Sequence, residues 1–231
     1  MAAMKHTLLF LLLLLAAGCS TNQSEKSYFD NFYETYLAIK EQQNPLTWQQ
    51  GQSLPYASIR TMVNDGTPVL MVLGYLVDNQ QKWYSKNRFS FTSENGRVVQ
   101  VYNVSSEISS IRPSPIWQNL QLASVKLNQV ITIPMFIDFL SSKRIDVKAS
   151  VRIQGDGYEE RQLFGKSVRL FRVSEQLTIP SMNFSYTNYY WKDVSTGFIW
   201  ESIQKWGPDV PKIHYQVIKP WINTIPEFIA P

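Results

Sequence analysis

Metal-binding and redox side chains are scarce in this chain. One cysteine, Cys19, and two histidines, His6 and His214, occur in 231 residues. An intramolecular disulfide and a thiolate metal centre are therefore excluded, and zinc, which takes several His or Cys ligands, finds no ligand set. Lysine and arginine total 22 but form no run, and the net charge is only +4, so nucleic-acid binding has little footing. There is no phosphate loop, no dinucleotide fingerprint and no internal repeat. Gly155-Asp156-Gly157 lacks the rest of a calcium-ligand spacing and reads as a turn. The apolar run Leu8–Ala17 is about ten residues long, half of the ~20 that a spanning helix needs.

That run is instead the core of a secretion signal. Lys5 precedes it, and it ends in Leu15-Ala16-Ala17-Gly18-Cys19, a lipobox-like sequence with Ala16 where leucine is commonest. Small residues before the cysteine let an extended backbone enter a signal peptidase. The Cys19 thiol then carries a thioether-linked diacylglycerol, and cleavage makes it the first residue, which takes an N-acyl chain. An ordinary cleaved signal fits the run as well, but it would leave an unpaired cysteine in an oxidising compartment. Two or three acyl chains anchor stably, at ~0.8 kcal/mol per buried CH2. Ser20 stands where an inner-membrane retention signal has aspartate, which points to the outer membrane, facing the periplasm. The expected organisation is a signal over 1–18, a lipidated N-terminus and tether over 19–26, and a single domain over 27–231. The lipid on Cys19 is the only expected cofactor-like group, and the membrane is the first expected partner. Loss of Lys5 lowers the net charge to +3.

Beyond the polar tether, Ser27-Tyr28-Phe29-Asp30 resembles a capping box, and apolar residues at Phe29, Phe32, Tyr33, Tyr36, Leu37 and Ile39 predict one helix over Tyr28–Lys40, ended by Asn44-Pro45. The pattern then turns to strands. Val69–Val77 reads as a buried strand with a bend or close approach at Gly74. Phe89–Thr92 and Val99–Tyr102 flank Asn95-Gly96, a strong hairpin signal. Ile145–Gln154 alternates strictly, with one wet and one buried face, and Gly155-Asp156-Gly157 closes it. Val168–Val173, Met182–Trp191, Phe198–Trp206 and Ile213–Ile218 follow, with 193–197 as a hairpin loop, and the tail from Lys219 lies extended on the body. The fold class is all-β, mainly antiparallel: a barrel-like single domain with one short N-terminal helix. A transmembrane barrel is disfavoured, because Asp146, Lys148 and Arg152 would face lipid or a lumen and a lipid anchor would be redundant.

Catalytic chemistry has thin support. His214 has opposite parity to Ile213, Tyr215 and Val217 and should face solvent, and no nucleophile elbow accompanies it. A glycosidase or lyase needs only two carboxylates, but Glu159 and Glu160 are adjacent and would point to opposite faces. The protein is therefore expected not to be an enzyme, with a polysaccharide-modifying enzyme as the alternative. Aromatics are plentiful, with seven Trp, twelve Tyr and twelve Phe. Flat rings beside polar side chains suit sugars. Trp83 and Tyr84 (with Lys86 and Arg88), Tyr190 and Trp191 (with Tyr189 and Lys192) and Trp200 are the candidate glycan or partner contacts. The opposing reading places these rings in a barrel interior or at its ends.

One series is more specific: Asn188-Tyr189-Tyr190-Trp191, Asp193, Thr196-Gly197, Ile199-Trp200, Ser202, Gln204, Pro208 and Lys219-Pro220. With Leu54-Pro55-Tyr56-Ala57-Ser58-Ile59 and Trp83-Tyr84-Ser85, it resembles the group 4 capsule polysaccharide lipoprotein family (YjbF/GfcB, YmcC-like). The resemblance implies a closed or nearly closed β-barrel-like domain on an outer-membrane lipid anchor. It also implies a part in making or exporting capsular or exopolysaccharide beside outer-membrane export proteins. It implies no catalytic residues.

Overall fold

The computed structural model describes residues 48–86, 88–104, 107–113 and 122–222. All of these lie in one compact unit, Phe32–Pro231. The signal, Cys19, the tether and the helix expected over Tyr28–Lys40 lie outside the described residues, as does the tail beyond Ile222. A short helix, α1 (Trp48–Ser53), precedes twelve described strands: β1 (Ser58–Val63), β2 (Val69–Val77), β3 (Gln80–Tyr84), β4 (Ser90–Glu94), β5 (Arg97–Tyr102), β6 (Ile108–Pro113), β7 (Val130–Phe139), β8 (Arg144–Leu163), β9 (Lys166–Ile179), β10 (Phe184–Lys192), β11 (Ile199–Gln204) and β12 (Ile213–Lys219). Each pairs antiparallel with its sequence neighbours, and β1 pairs with β12, so the sheet closes into a barrel.

Period-two patterning decides which way each wall faces. Ala149, Val151 and Ile153 of β8 are buried while Lys148 and Arg152 are exposed. Ile213, Tyr215 and Val217 of β12 alternate with His214 and Gln216 in the same sense. In these strands the inward residues are mainly apolar and the outward ones polar, the inverse of a membrane-spanning strand. The Asn95-Gly96 hairpin forms as expected, with φ of 49° and 87°. Asp193 builds the loop before β11, its Oδ1 accepting the Ser195 and Thr196 N–H groups at 2.8 and 3.1 Å.

Eight strands make a barrel that side chains just fill, and diameter grows with strand number. Two devices fill this larger ring. Trp83, Phe91, Tyr190, Tyr215 and Met71 pack into the core. In addition, opposite walls meet: β5 and β11, six places apart in the ring, bring Cα atoms within 8 Å. Gly96 stands at this crossing, where a Cβ would lie 2.6 Å from Ile199 Cγ1.

Two expectations need correction. Only the first half of Val69–Val77 is a buried strand. Tyr75, Leu76 and Val77 are exposed because β1 pairs with β2 only over Val69–Val72. Gly74 does mark the bend, with a register shift between Leu73 and Tyr75. It also marks a close approach, because a Cβ there would lie 2.7 Å from the Tyr84 ring. Gly155-Asp156-Gly157 is not a turn. β8 runs on to Leu163 and reverses at Phe164-Gly165, with φ of 54° and 73°. The two glycines serve a bulge in the β8–β9 ladder. Gly157 takes φ 115°, and a Cβ on Gly155 would sit 2.1 Å from the Lys126 carbonyl oxygen.

The bulge bends the far half of the β8–β9 hairpin into an arm. β7 pairs with β8 only as far as Gln154, and β10 with β9 only from Phe171. The arm reaches back over the outer face of β10–β12. Arg161 meets Glu201, Gln216 Nε2 lies 3.4 Å from the Gln162 carbonyl, and Phe164 packs edge-on against Trp48 and Trp200.

Candidate functional site

Two polar clusters are built around fully buried glutamates, one on each face of the wall. Inside, Glu175 of β9 and Arg97 of β5 form an ion pair, Nε to Oε2 at 2.7 Å, with both side chains almost wholly buried. The Tyr190 hydroxyl donates to the other Glu175 oxygen at 2.8 Å. Burial pushes the Tyr190 phenol well above its usual pKa, and the Glu175 charge adds to this. Beside this pair, the Gln204 amide spans the barrel. Its Nε2 donates to the Gly96 carbonyl and to Ser202 Oγ, both at 2.9 Å. Its Oε1 accepts from Val98 N at 2.9 Å and Trp206 Nε1 at 3.1 Å. The Tyr215 hydroxyl also donates to the Gly96 carbonyl, at 2.8 Å, and burial raises its pKa as well. The network ties β5 to the β9–β12 wall through partners that each satisfy another.

Lys192 works in the same way at the start of the hairpin loop. Its Nζ donates to the carbonyls of Leu122, Ala123 and Val125 at 3.2, 2.6 and 2.8 Å, which accounts for its three N–H bonds. Burial lowers its pKa.

Outside, under the arm, Glu201 is fully buried. Arg161 grips it with two bonds, Nε–Oε2 at 2.9 Å and Nη2–Oε1 at 2.5 Å, and His214 Nε2 lies 2.7 Å from Oε1. Burial pushes the Glu201 carboxyl up, but the His214 and Arg161 contacts outweigh it and hold the pKa below the usual carboxylate range. The Arg161 guanidinium lies 4.2 Å over the Trp191 ring. The charges then alternate along the arm. Glu159 bonds both Arg161 and Arg172, and Arg172 bonds Asp156 at 3.0 Å. His214 is thus on the outer face, as its parity predicts, yet it is largely covered by the arm.

Four of the five candidate contact rings prove to be structural. Trp83, Tyr190, Trp191 and Trp200 are each at most 3 % exposed, so none offers a ring face to a sugar. Trp83 and Tyr190 point inward, Trp191 lies beneath Arg161, and Trp200 packs among Trp48, Phe164 and Phe198. Tyr84 is 39 % exposed. The residues that organise both clusters, Arg97, Glu175, Gln204, Arg161 and Glu201, were not singled out as site residues from the sequence. Their signal was weak: polar residues on strands whose parity partners are core. Gln204 does share parity with Ser202, inside the barrel, but the arm that buries Glu201 has no local signature.

Fold and clusters together define a filled antiparallel barrel whose buried polar groups hold its own walls and arm in place. The chain belongs to the group 4 capsule polysaccharide lipoprotein family (GfcB, YjbF), whose model matches residues 29–218. It is 24% identical to the lipoprotein GfcB of Escherichia coli K12 over 220 residues, which is 94% of this chain and 99% of that protein. It is 31% identical to the lipoprotein YjbF of the same organism over 99 residues, 42% of this chain and 44% of that one. The fold matches that of the lipoprotein YmcC from Escherichia coli K12, with a TM-score of 0.65 and 22% identity, over 85% of this chain and 97% of the other.

Proposed function

We propose that this lipoprotein is a non-catalytic accessory of capsule or exopolysaccharide assembly or export. In this reading it is anchored through lipid on Cys19 to the outer membrane, faces the periplasm, and works by contacting the glycan or by docking an envelope secretion component. The observation that carries the non-catalytic reading is the placement of the two buried glutamates. Glu175 faces the barrel interior and Glu201 the outer surface, and each is committed to an arginine. Acid–base cleavage of a glycosidic bond needs two carboxyl groups flanking one space; these two lie on opposite sides of a wall, and Glu159 and Asp156, the acids nearest Glu201, are paired with Arg161 and Arg172. Family membership supports the polysaccharide connection.

Deleting the gene should reduce surface polysaccharide, and a Cys19→Ser form should leave the membrane fraction with its β domain folded and fail to restore the polymer. Unchanged surface polysaccharide in the deletion strain would refute the role. Depolymerisation of the native polymer by purified protein would refute the non-catalytic reading.

A further inference from the structure

We infer that the outer face of β2–β5 is a binding site for an acidic glycan chain, with Tyr75 and Tyr84 as ring platforms and Lys82 as the cation that receives a sugar carboxylate. The inference rests on the proposed role in polysaccharide handling and names the surface and the glycan chemistry.

Strand parity separates this face from the core. Trp83, Phe91 and Val101 point inward and are buried. Their neighbours point outward in two rows set by the register: Tyr75, Lys82, Thr92 and Gln100 in one, and Tyr84, Ser90 and Tyr102 in the next. Tyr84 and Tyr102 are two strand spacings apart, about 10 Å, over a floor made by the small, buried Ser90 and Thr92. The Lys82 ammonium lies between the two rings, 5.6 Å from the Tyr84 centroid and 5.3 Å from that of Tyr102. Contact with two ring faces holds that charge in place. The Tyr84 ring lies against the bare Cα of Gly74, which is where the sequence needed a glycine.

The face is open. Tyr75 is 59 % exposed and Tyr84 39 %, and the hydroxyl of neither bonds to any described residue. Lys86 and Arg88 are exposed in the turn after Tyr84. Rings cover the apolar C–H face of a pyranose, phenol hydroxyls meet its hydroxyl groups, and a fixed ammonium meets a carboxylate. The net positive charge, +3 once Lys5 is lost with the signal, favours a polyanion over a neutral chain.

The test uses the full-length lipidated protein in detergent micelles and the surface polysaccharide purified from the organism that makes it, native and carboxyl-reduced, compared by titration calorimetry. The native polymer should bind. Carboxyl reduction and Lys82→Glu should each weaken binding at least tenfold, and Tyr75→Ala at least threefold, with unfolding midpoints unchanged. Lys148→Glu, on the exposed face of β8, should bind as the parent does. Equal affinity for native and reduced polymer, or parental binding by both Lys82→Glu and Tyr75→Ala, would overturn the site. So would an absence of binding to the native polymer. In that last case, lost surface polysaccharide in a deletion strain would leave the export role standing without glycan contact. If folded Lys82→Glu then also failed to restore export, the face would be assigned to a protein partner. A deletion strain with normal surface polysaccharide would sink the wider role whatever the calorimetry shows.

Discussion

Gln204→Leu keeps most of the side-chain volume and deletes the amide that joins β11 to β5 across the barrel. Two donors lose their acceptor in the variant, the Val98 backbone N–H and the Trp206 indole N–H, on residues that are 0 % and 1 % exposed. The Gly96 carbonyl keeps the Tyr215 hydroxyl, and the Tyr190 hydroxyl keeps Glu175, so neither adds to the loss. A buried donor without an acceptor costs about 1–3 kcal/mol, so the expected destabilisation is about 2–6 kcal/mol. Domains of this kind are stable by about 5–15 kcal/mol in all. Urea unfolding followed by tryptophan fluorescence should therefore show a large fall in midpoint with an unchanged slope. Gln216→Leu is the control: its amide reaches the Gln162 carbonyl at only 3.4 Å, on the exposed side of the wall. That change should stay within about 0.5 kcal/mol. A loss below about 1 kcal/mol for Gln204→Leu would refute the claim that this amide holds opposite walls together.

Glu201→Gln should cost about 3 kcal/mol at neutral pH, the low end for a broken buried pair because Arg161 keeps some contact with water. It should also speed hydrogen exchange in the arm over 157–170. Because the Glu201 pKa is lowered on folding, its contribution is complete above the unfolded glutamate value of about 4.3 and is lost as the pH falls through and below it. The stability gap between parent and variant should therefore narrow in acid, and a gap constant from pH 7 to pH 3 would count against the assignment. Tyr190 and Tyr215 have raised pKa values, so they stay protonated in the fold while the unfolded phenols ionise near 10. Stability should be full below about pH 10 and fall above it, less steeply in Tyr215→Phe. Gly155→Ala forces a Cβ onto the Lys126 carbonyl and should lower stability by about 1–3 kcal/mol in thermal unfolding.

Local signals in the chain were enough for part of the strand framework; β1, β3, β6 and β7 carried no clear local pattern. Asn95-Gly96 specified its hairpin because two consecutive left-handed residues match the twist of paired strands. The alternation specified a wall with one wet face from Val147 to Gln154, but Ile145, expected on the buried face, is 73 % exposed, because the β7–β8 register shifts between Ile137 and Phe139 beside it. The same alternation placed His214 on the outer side. The two-glycine segment 155–157 misled because a bulge and a turn make the same local demand, positive φ and room for a close backbone. Only the Lys126 carbonyl, which a distant segment brings in, distinguishes them. The aromatic segment 189–191 misled in the same way. Nothing local shows that an arm carrying Arg161 will lie over Trp191.

By itself, then, the sequence determined many of the antiparallel strands and their two-faced character, since each follows from neighbours a few residues apart. Tertiary structure alone decided that the barrel closes through β1 and β12, that Gln204 and Gly96 meet across it, and that β8–β9 folds back over β11. It also decided that Tyr84 stands with Tyr75, Lys82 and Tyr102 on an open face while Trp83 turns inward. These outcomes depend on register and closure between residues dozens of positions apart, and no local pattern carries that information.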